Sequence, residues 1–170
     1  MKRILSICTF LVVSTLAIVS CKKGDTGNAN VMYSEWFTPT PYIKDTVFGI
    51  WGFKFNKEAP KITQQMLDSS AILVFAKLLG YNPAVWPTGQ VAQMPISITY
   101  MQGGVTTDTW SALASVGNIR IRFVNDRNIY NVIATQHQFR YMIIPASTKV
   151  NSRVAQKTYE EICREYNIPE

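Results

Sequence analysis

The sequence predicts a mainly β protein, a single β-sandwich of Ig-like or jelly-roll-like type. Three observations predict it. From Val31 onward, apolar and polar residues alternate with period two in one run after another. Gly, Pro, Asn and Asp clusters separate those runs at short intervals. The tail then changes to a helical period. About seven short strands divided by turns favour two stacked sheets, with a partly open barrel as the alternative.

In chain order, Val31 to Phe37 reads as a first strand, stopped by Thr38-Pro39-Thr40-Pro41. Val47 to Phe55 reads as a second, with Trp51, Phe53 and Phe55 on the core face. Thr63 is a suitable N-cap for a short helix near 63–69, because its hydroxyl can accept a backbone N–H of the first turn. Ala71 to Leu79 is apolar except for Lys77, the pattern of a strand buried on both faces. Gly80 to Gly89 is rich in proline and glycine and reads as a long loop.

Met94 to Met101 alternates with Ile96, Ile98 and Tyr100 inward, Gly103-Gly104 supplies a hairpin turn, and Val105 to Leu113 returns. Asn118 to Val124 sends Ile119, Ile121 and Phe123 inward and Arg120 and Arg122 outward. After an Asn-Asp-Arg-Asn turn, Gln138 to Ile144 forms the last long strand, ended by Pro145. Tyr159, Ile162, Cys163 and Tyr166 then fall at i, i+3, i+4 and i+7, one stripe of a C-terminal helix near 156–166 that packs on the sandwich or on an edge of it.

The first thirty residues carry a different message. Lys2 and Arg3 precede an apolar run from Ile4 to Val19, and Lys22-Lys23-Gly24-Asp25 turns polar at once. This is the layout of a secretory signal, and the run is short for a spanning helix. The residues Ile18-Val19-Ser20-Cys21 resemble a bacterial lipobox. That resemblance implies a signal peptide over 1–20, diacylglycerol on the Cys21 thiol, cleavage before Cys21 and an acyl chain (palmitate or similar) on the new amino group. Two or more chains hold a protein stably in a bilayer, at about 0.8 kcal/mol per buried CH₂. The same resemblance places the protein in the outer membrane, since Lys22 stands where an inner-membrane lipoprotein has Asp. It leaves open whether the domain faces the periplasm or the outside.

Residues 21–30 read as the lipidated cysteine and a flexible tether, with glycine at positions 24 and 27. Two Gly-x-y triplets are too few for a collagen helix. Cys21-Lys-Lys-Gly-Asp-Thr-Gly27, continuing through Asn28 to Trp36, resembles a group of small Bacteroidota lipoproteins, many of which carry a longer Gly-x-y stalk. Ile62-Thr63, Leu67-Asp68, Val85 to Gln90, Gly117 to Ile121 and His137 to Tyr141 extend the resemblance over nearly the whole of 31–170. It implies an anchored β-rich domain and brings no activity with it.

Composition limits the function classes. Cys21 to Glu170 is 150 residues, enough for one domain with a real core. Without Lys2 and Arg3 the chain has 15 basic against 11 acidic side chains, a net charge of +4. That is too weak and too spread for a nucleic-acid binder. Of three cysteines, Cys8 leaves with the signal and Cys21 takes lipid, so Cys163 has no partner for an internal disulfide.

The candidate chemistry is sparse. His137 is the one histidine and lies in no metal-ligand spacing, which speaks against a zinc site and for an ordinary histidine. Glu35, Asp45, Glu58, Asp68, Asp108 and Asp126 could supply a glycosidase pair, but nothing in the sequence pairs them. Ser69, Ser70 and Ser111 lie in no nucleophile elbow. No cofactor motif is present. Tyr81 and Trp86, in the proline-rich loop, are the aromatic pair most suited to stacking on a sugar, while Trp51 reads as core. Arg120 and Arg122, with Arg140 on a neighbouring strand, would form an anion-binding cluster.

The reading is a lipid-anchored cell-envelope protein with a non-enzymatic binding or structural role. Its partners are the bilayer through Cys21 and a glycan or another envelope protein. A hydrolase of envelope or environmental polysaccharide is the alternative. Cys21→Ser is expected to abolish acyl labelling and to leave the precursor uncut. Unchanged labelling in that variant would remove the anchor reading.

Overall fold

The computed structural model describes residues 31–145 and 154–170. The signal peptide, Cys21 and the tether lie outside the described residues. Among the described residues nine strands form two antiparallel sheets. They are β1 (Met32–Tyr33), β2 (Ile43–Val47), β3 (Ile50–Glu58), β4 (Ser70–Lys77), β5 (Val91–Gln93), β6 (Ile96–Met101), β7 (Val105–Ser115), β8 (Asn118–Asn125) and β9 (Gln138–Pro145). The four-stranded sheet has the order β1-β9-β4-β5 and the five-stranded sheet the order β2-β3-β8-β7-β6. Among the described residues two helices accompany them, α1 (Gln64–Ser69) and α2 (Tyr159–Tyr166), with a 3₁₀ turn at Val154–Gln156.

The alternating residues explain how the sheets meet. Phe53, Ile96, Ile98, Trp110, Ile119, Ile121 and Phe123 of the larger sheet share one core with Val74, Ala76, Phe139, Tyr141 and Ile143 of the smaller. Two sheets joined through one apolar layer are consistent with a β-sandwich. The neighbours of those residues on β4 and β9 face the other way. Leu73, Phe75, Met142 and Ile144 form a second core with Val154, Tyr159, Ile162, Cys163 and Ile168. The β4–β9 pair is therefore buried on both faces, as the continuous apolar run Ala71–Leu79 predicts.

α1 begins where the sequence places its cap. Met66 N donates to Thr63 Oγ1 at 3.2 Å. In α2, Glu161 N donates to Thr158 Oγ1 and Thr158 N donates to Glu161 Oε2, a capping box. That box starts the helix at Tyr159, three residues later than the expected 156.

Three expectations need correction. Val47 to Phe55 is a hairpin, with a turn at Phe48-Gly49 whose φ angles are 49° and 80°. Two positive φ values suit the right-handed twist of a two-residue hairpin, and Gly49 supplies one of them. Phe48 is a bulky residue in the left-handed region and lacks the Asn or Asp that marks such turns. Asn128 braces the turn from outside: its Oδ1 accepts from Trp51 N at 2.7 Å and its Nδ2 donates to Gly49 O at 3.0 Å.

Trp51, expected in the core, is only half-buried. It lies at the turn end of β3, with Lys44 Nζ 3.8 Å above its ring. The expected strand Val31–Phe37 shortens to Met32–Tyr33 plus a single bridge between Phe37 and Phe139.

The stripe on α2 puts Cys163 inside the second core, where burial pushes its thiol above its ordinary pKa. A thiol reagent should therefore label Cys163 slowly in the folded protein with Cys8 and Cys21 changed to Ser, and quickly after denaturation. Rapid labelling before denaturation would mean that α2 does not dock as described.

Candidate ligand-binding site

β4 and β9 lie side by side and antiparallel, so the residues after Lys77 and those before Gln138 meet at one end of the sandwich. There they join the tips of β6, β7 and β8. Together they enclose a cavity of about 470 Å³. Its wall includes Tyr81, Tyr100, Trp110, Phe123, Tyr130 and His137, with Val85, Val132 and Ile133 nearer the loops. That volume suits a small organic ligand.

Asp108 stands in this wall and is 1% exposed. It is an inward position of β7, opposite Ile98 and Asn125 in register. A buried carboxylate is costly unless its lone pairs are filled, and here they are. Asn125 Nδ2 donates to Oδ1 at 2.7 Å. Tyr81, Tyr100 and Tyr130 hydroxyls lie 2.8, 3.1 and 3.4 Å from Oδ2. Trp110 Nε1 donates to the Tyr81 hydroxyl at 3.0 Å, and the Tyr100 and Tyr130 hydroxyls bond to each other. Asn125 also donates to Thr106 Oγ1 at 2.9 Å, which donates in turn to Asp126 at 2.9 Å.

The electrostatics follow from burial. Desolvation raises the Tyr81, Tyr100 and Tyr130 hydroxyls well above the ordinary phenol range, and the Asp108 charge beside them adds to the rise. These phenols stay protonated: Tyr81 donates to Asp108, and of the bonded pair Tyr100 and Tyr130 one donates to Asp108 and the other to its neighbour's oxygen. His137 is 4% exposed, and burial lowers its pKa to about 4. Its Nδ1 accepts from Leu79 N at 3.1 Å, so the neutral ring carries its proton on Nε2. Its ring meets Trp110 edge-on at 4.6 Å between centroids.

The residues singled out in the sequence separate in space. Tyr81 belongs to the cavity, but its hydroxyl is held by Asp108 and Trp110. Trp86 is half-buried against the main core and does not line the cavity. Its Nε1 is buried without a partner among the described residues. The two aromatics thus do not share one face of the cavity.

Arg120 and Arg122 do share the outward face of β8. Arg120 donates to Asn56 at 3.2 Å and Arg122 pairs with Asp45 at 3.5 Å. Arg140 is not their neighbour: β9 lies in the other sheet, whereas β8 is flanked by β3 and β7. Arg140 is 2% exposed in the second core region. It donates to Ser34 O at 2.8 Å, to the Tyr159 hydroxyl at 2.6 Å and to Pro169 O, under the Tyr33 ring. It joins the first strand, β9 and the tail.

Asp108 was legible only as one of six carboxylates. Its inward position in the alternation of β7 is the signal that could have set it apart, since a charge there must be paired or hydrogen-bonded. No second carboxylate lines the cavity among the described residues, so the facing pair of a two-carboxylate glycosidase is not formed there.

The buried neutral His137 predicts a pH dependence of stability. Its folded pKa lies below the unfolded value of 6.5, so its contribution is complete above pH 6.5 and is lost as pH falls toward 4. The loss should reach about 3 kcal/mol near pH 4. Melting curves from pH 7 to pH 4.5 should show a steeper decline for the wild type than for His137→Gln. Equal slopes would mean that His137 is not buried as a neutral ring.

No protein-family model matches this chain, and comparisons with curated proteins and with solved structures return no match.

Proposed function

We propose that the chain is a lipid-anchored cell-envelope protein whose β domain binds a small ligand in the cavity beside Asp108, without catalysing a reaction. The observation that carries the binding reading is the cavity itself: aromatic walls, a few convergent polar groups and one buried carboxylate held by phenols. The anchor rests on the lipobox-like residues ending at Cys21, and the outer membrane on Lys22 after it. Among the described residues no helix is long and apolar enough to cross a membrane.

The place of the first described residues supports an orientation for the cavity. Met32 pairs with Ile143 near the end of β9, whereas the cavity-lining His137 precedes its start. Those ends are seven residue steps apart, roughly 24 Å at about 3.4 Å per residue. A tether entering at Val31 thus joins the end of the domain remote from the cavity. That favours a mouth facing away from the anchoring bilayer. Within the sandwich class, the order departs from the Ig arrangement, since β1 lies beside the last strand and not the second.

A ligand that binds only the folded state raises its stability, by about 2.7 kcal/mol at a hundredfold excess over Kd. The test is a thermal-shift screen of the full chain in a polyoxyethylene detergent, with small amines, alcohols, carboxylates and oligosaccharides. Ala134 is exposed at the mouth of the cavity, so Ala134→Trp should block entry at little cost in stability. The expected result is a compound that raises the melting temperature of the wild type and not of Ala134→Trp. A screen with no shift, or a shift that Ala134→Trp keeps, would overturn the reading.

A further inference from the structure

The charge and hydrogen-bond pattern of the cavity restricts what it can hold. Asp108 is the one formally charged residue among the lining side chains, and His137 beside it is neutral. Among the described residues no Lys or Arg pairs with Asp108. Arg127, which donates to the lining residue Gln102 through its carbonyl at 3.1 Å, is itself not part of the lining. Asp126 next to it is also outside the lining. The cavity therefore carries a net negative charge at its buried inner wall.

The protons of the phenols are already committed. Tyr81 donates to Asp108, and the Tyr100 and Tyr130 hydroxyls lie within reach of both Asp108 and each other. With three hydroxyl hydrogens spent on the carboxylate and on one another, the oxygens can offer a ligand only lone pairs. The rings around them present electron-rich faces and edges. In the inner wall the donor left over is His137 Nε2; the side-chain amides of Asn82 and Gln102 add donors only at the exposed rim. An anion would meet the like charge of Asp108 in the inner wall, with no Lys or Arg in the lining to offset it. A cation would meet acceptor oxygens, aromatic faces and the charge of Asp108 relayed through the phenols.

We propose that the cavity selects a small organic cation, an ammonium group on a compact apolar or hydroxylated body, with Asp108 as its electrostatic partner and Tyr100 and Tyr130 as its acceptors. This rests on the reading of the cavity as a ligand site. The ammonium can belong to a free amine or to a lipid headgroup, and both present the same chemistry.

The test compares isosteres by calorimetry on the full chain in a polyoxyethylene detergent: choline against 3,3-dimethylbutan-1-ol, and benzylamine against benzyl alcohol. At least one cation should bind ten times or more tighter than its neutral isostere. Asp108→Asn should erase that ratio, and Tyr130→Phe, which keeps the ring, should reduce it. Vesicles of phosphatidylethanolamine or phosphatidylcholine, against phosphatidylglycerol alone, then assign the source. Capture by either of the first two, or by the free cation only, supports the proposal. Neutral isosteres that bind as well as the cations would overturn the cation preference and leave the site standing as a binding cavity. If all four probes fail while the screen above yields an alcohol, carboxylate or oligosaccharide blocked by Ala134→Trp, the cation proposal falls alone. The wild-type ratio decides the matter even where Asp108→Asn does not fold.

Discussion

The two-sided burial of the β4–β9 pair is the constraint on which the rest of the structure depends. Eight residues of β4 pair in register with eight of β9, from Ser70–Pro145 to Lys77–Gln138. Their alternate side chains fill both apolar cores. The inward face closes the sandwich against the larger sheet. The outward face needs a cover, and α2 with the 3₁₀ turn and the tail supplies it through Tyr159, Ile162, Cys163 and Ile168. Truncating a large side chain in such a layer typically costs about 3–5 kcal/mol, so either face losing its partner would threaten the pair itself.

Arg140 shows how a charge is accommodated in that outer layer. It sits on the outward face of β9, opposite Phe75, where the pattern otherwise calls for an apolar residue. No carboxylate pairs with it among the described residues. Backbone carbonyls of Ser34 and Pro169, the Tyr159 hydroxyl and the Tyr33 ring take its donors and its charge instead. Because those partners come from the first strand, α2 and the tail, one side chain couples three segments that are remote in sequence. A buried hydrogen-bonded charge of this kind is weak evidence for stability, but losing its partners one at a time is costly.

The cavity at the other end follows from the same pairing. Leu79 and His137 leave β4 and β9 together and remain linked by the bond from Leu79 N to His137 Nδ1. The strand ends of the larger sheet bring Tyr100, Asp108 and Tyr130 to meet Tyr81. A rigid two-sheet scaffold thus carries a polar network at its rim, where the loops leave room for a ligand. Asp108 rather than the Tyr81–Trp86 pair is the centre of that arrangement, since Trp86 turns toward the core.

The sequence by itself determined the class of fold, most of the inward positions, the Thr63 cap, the α2 stripe and the double burial of Ala71–Leu79. Each is a local property: a period of two or 3.6, a capping residue, a continuous apolar run. Tertiary structure alone decided which strands are neighbours, and so which side chains meet. Period two says that Arg140 and Arg122 lie on strand faces, but not that those strands belong to different sheets. Likewise, Asp108 becomes the centre of a site only when Tyr81, 27 positions earlier, and Tyr130, 22 later, fold against it. The Phe48-Gly49 turn was illegible for a related reason. Its positive φ at phenylalanine is held by hydrogen bonds from Asn128, 79 positions away from Gly49, and not by the residues of the turn. Contacts across such separations depend on chain closure and shared burial, which no local pattern encodes.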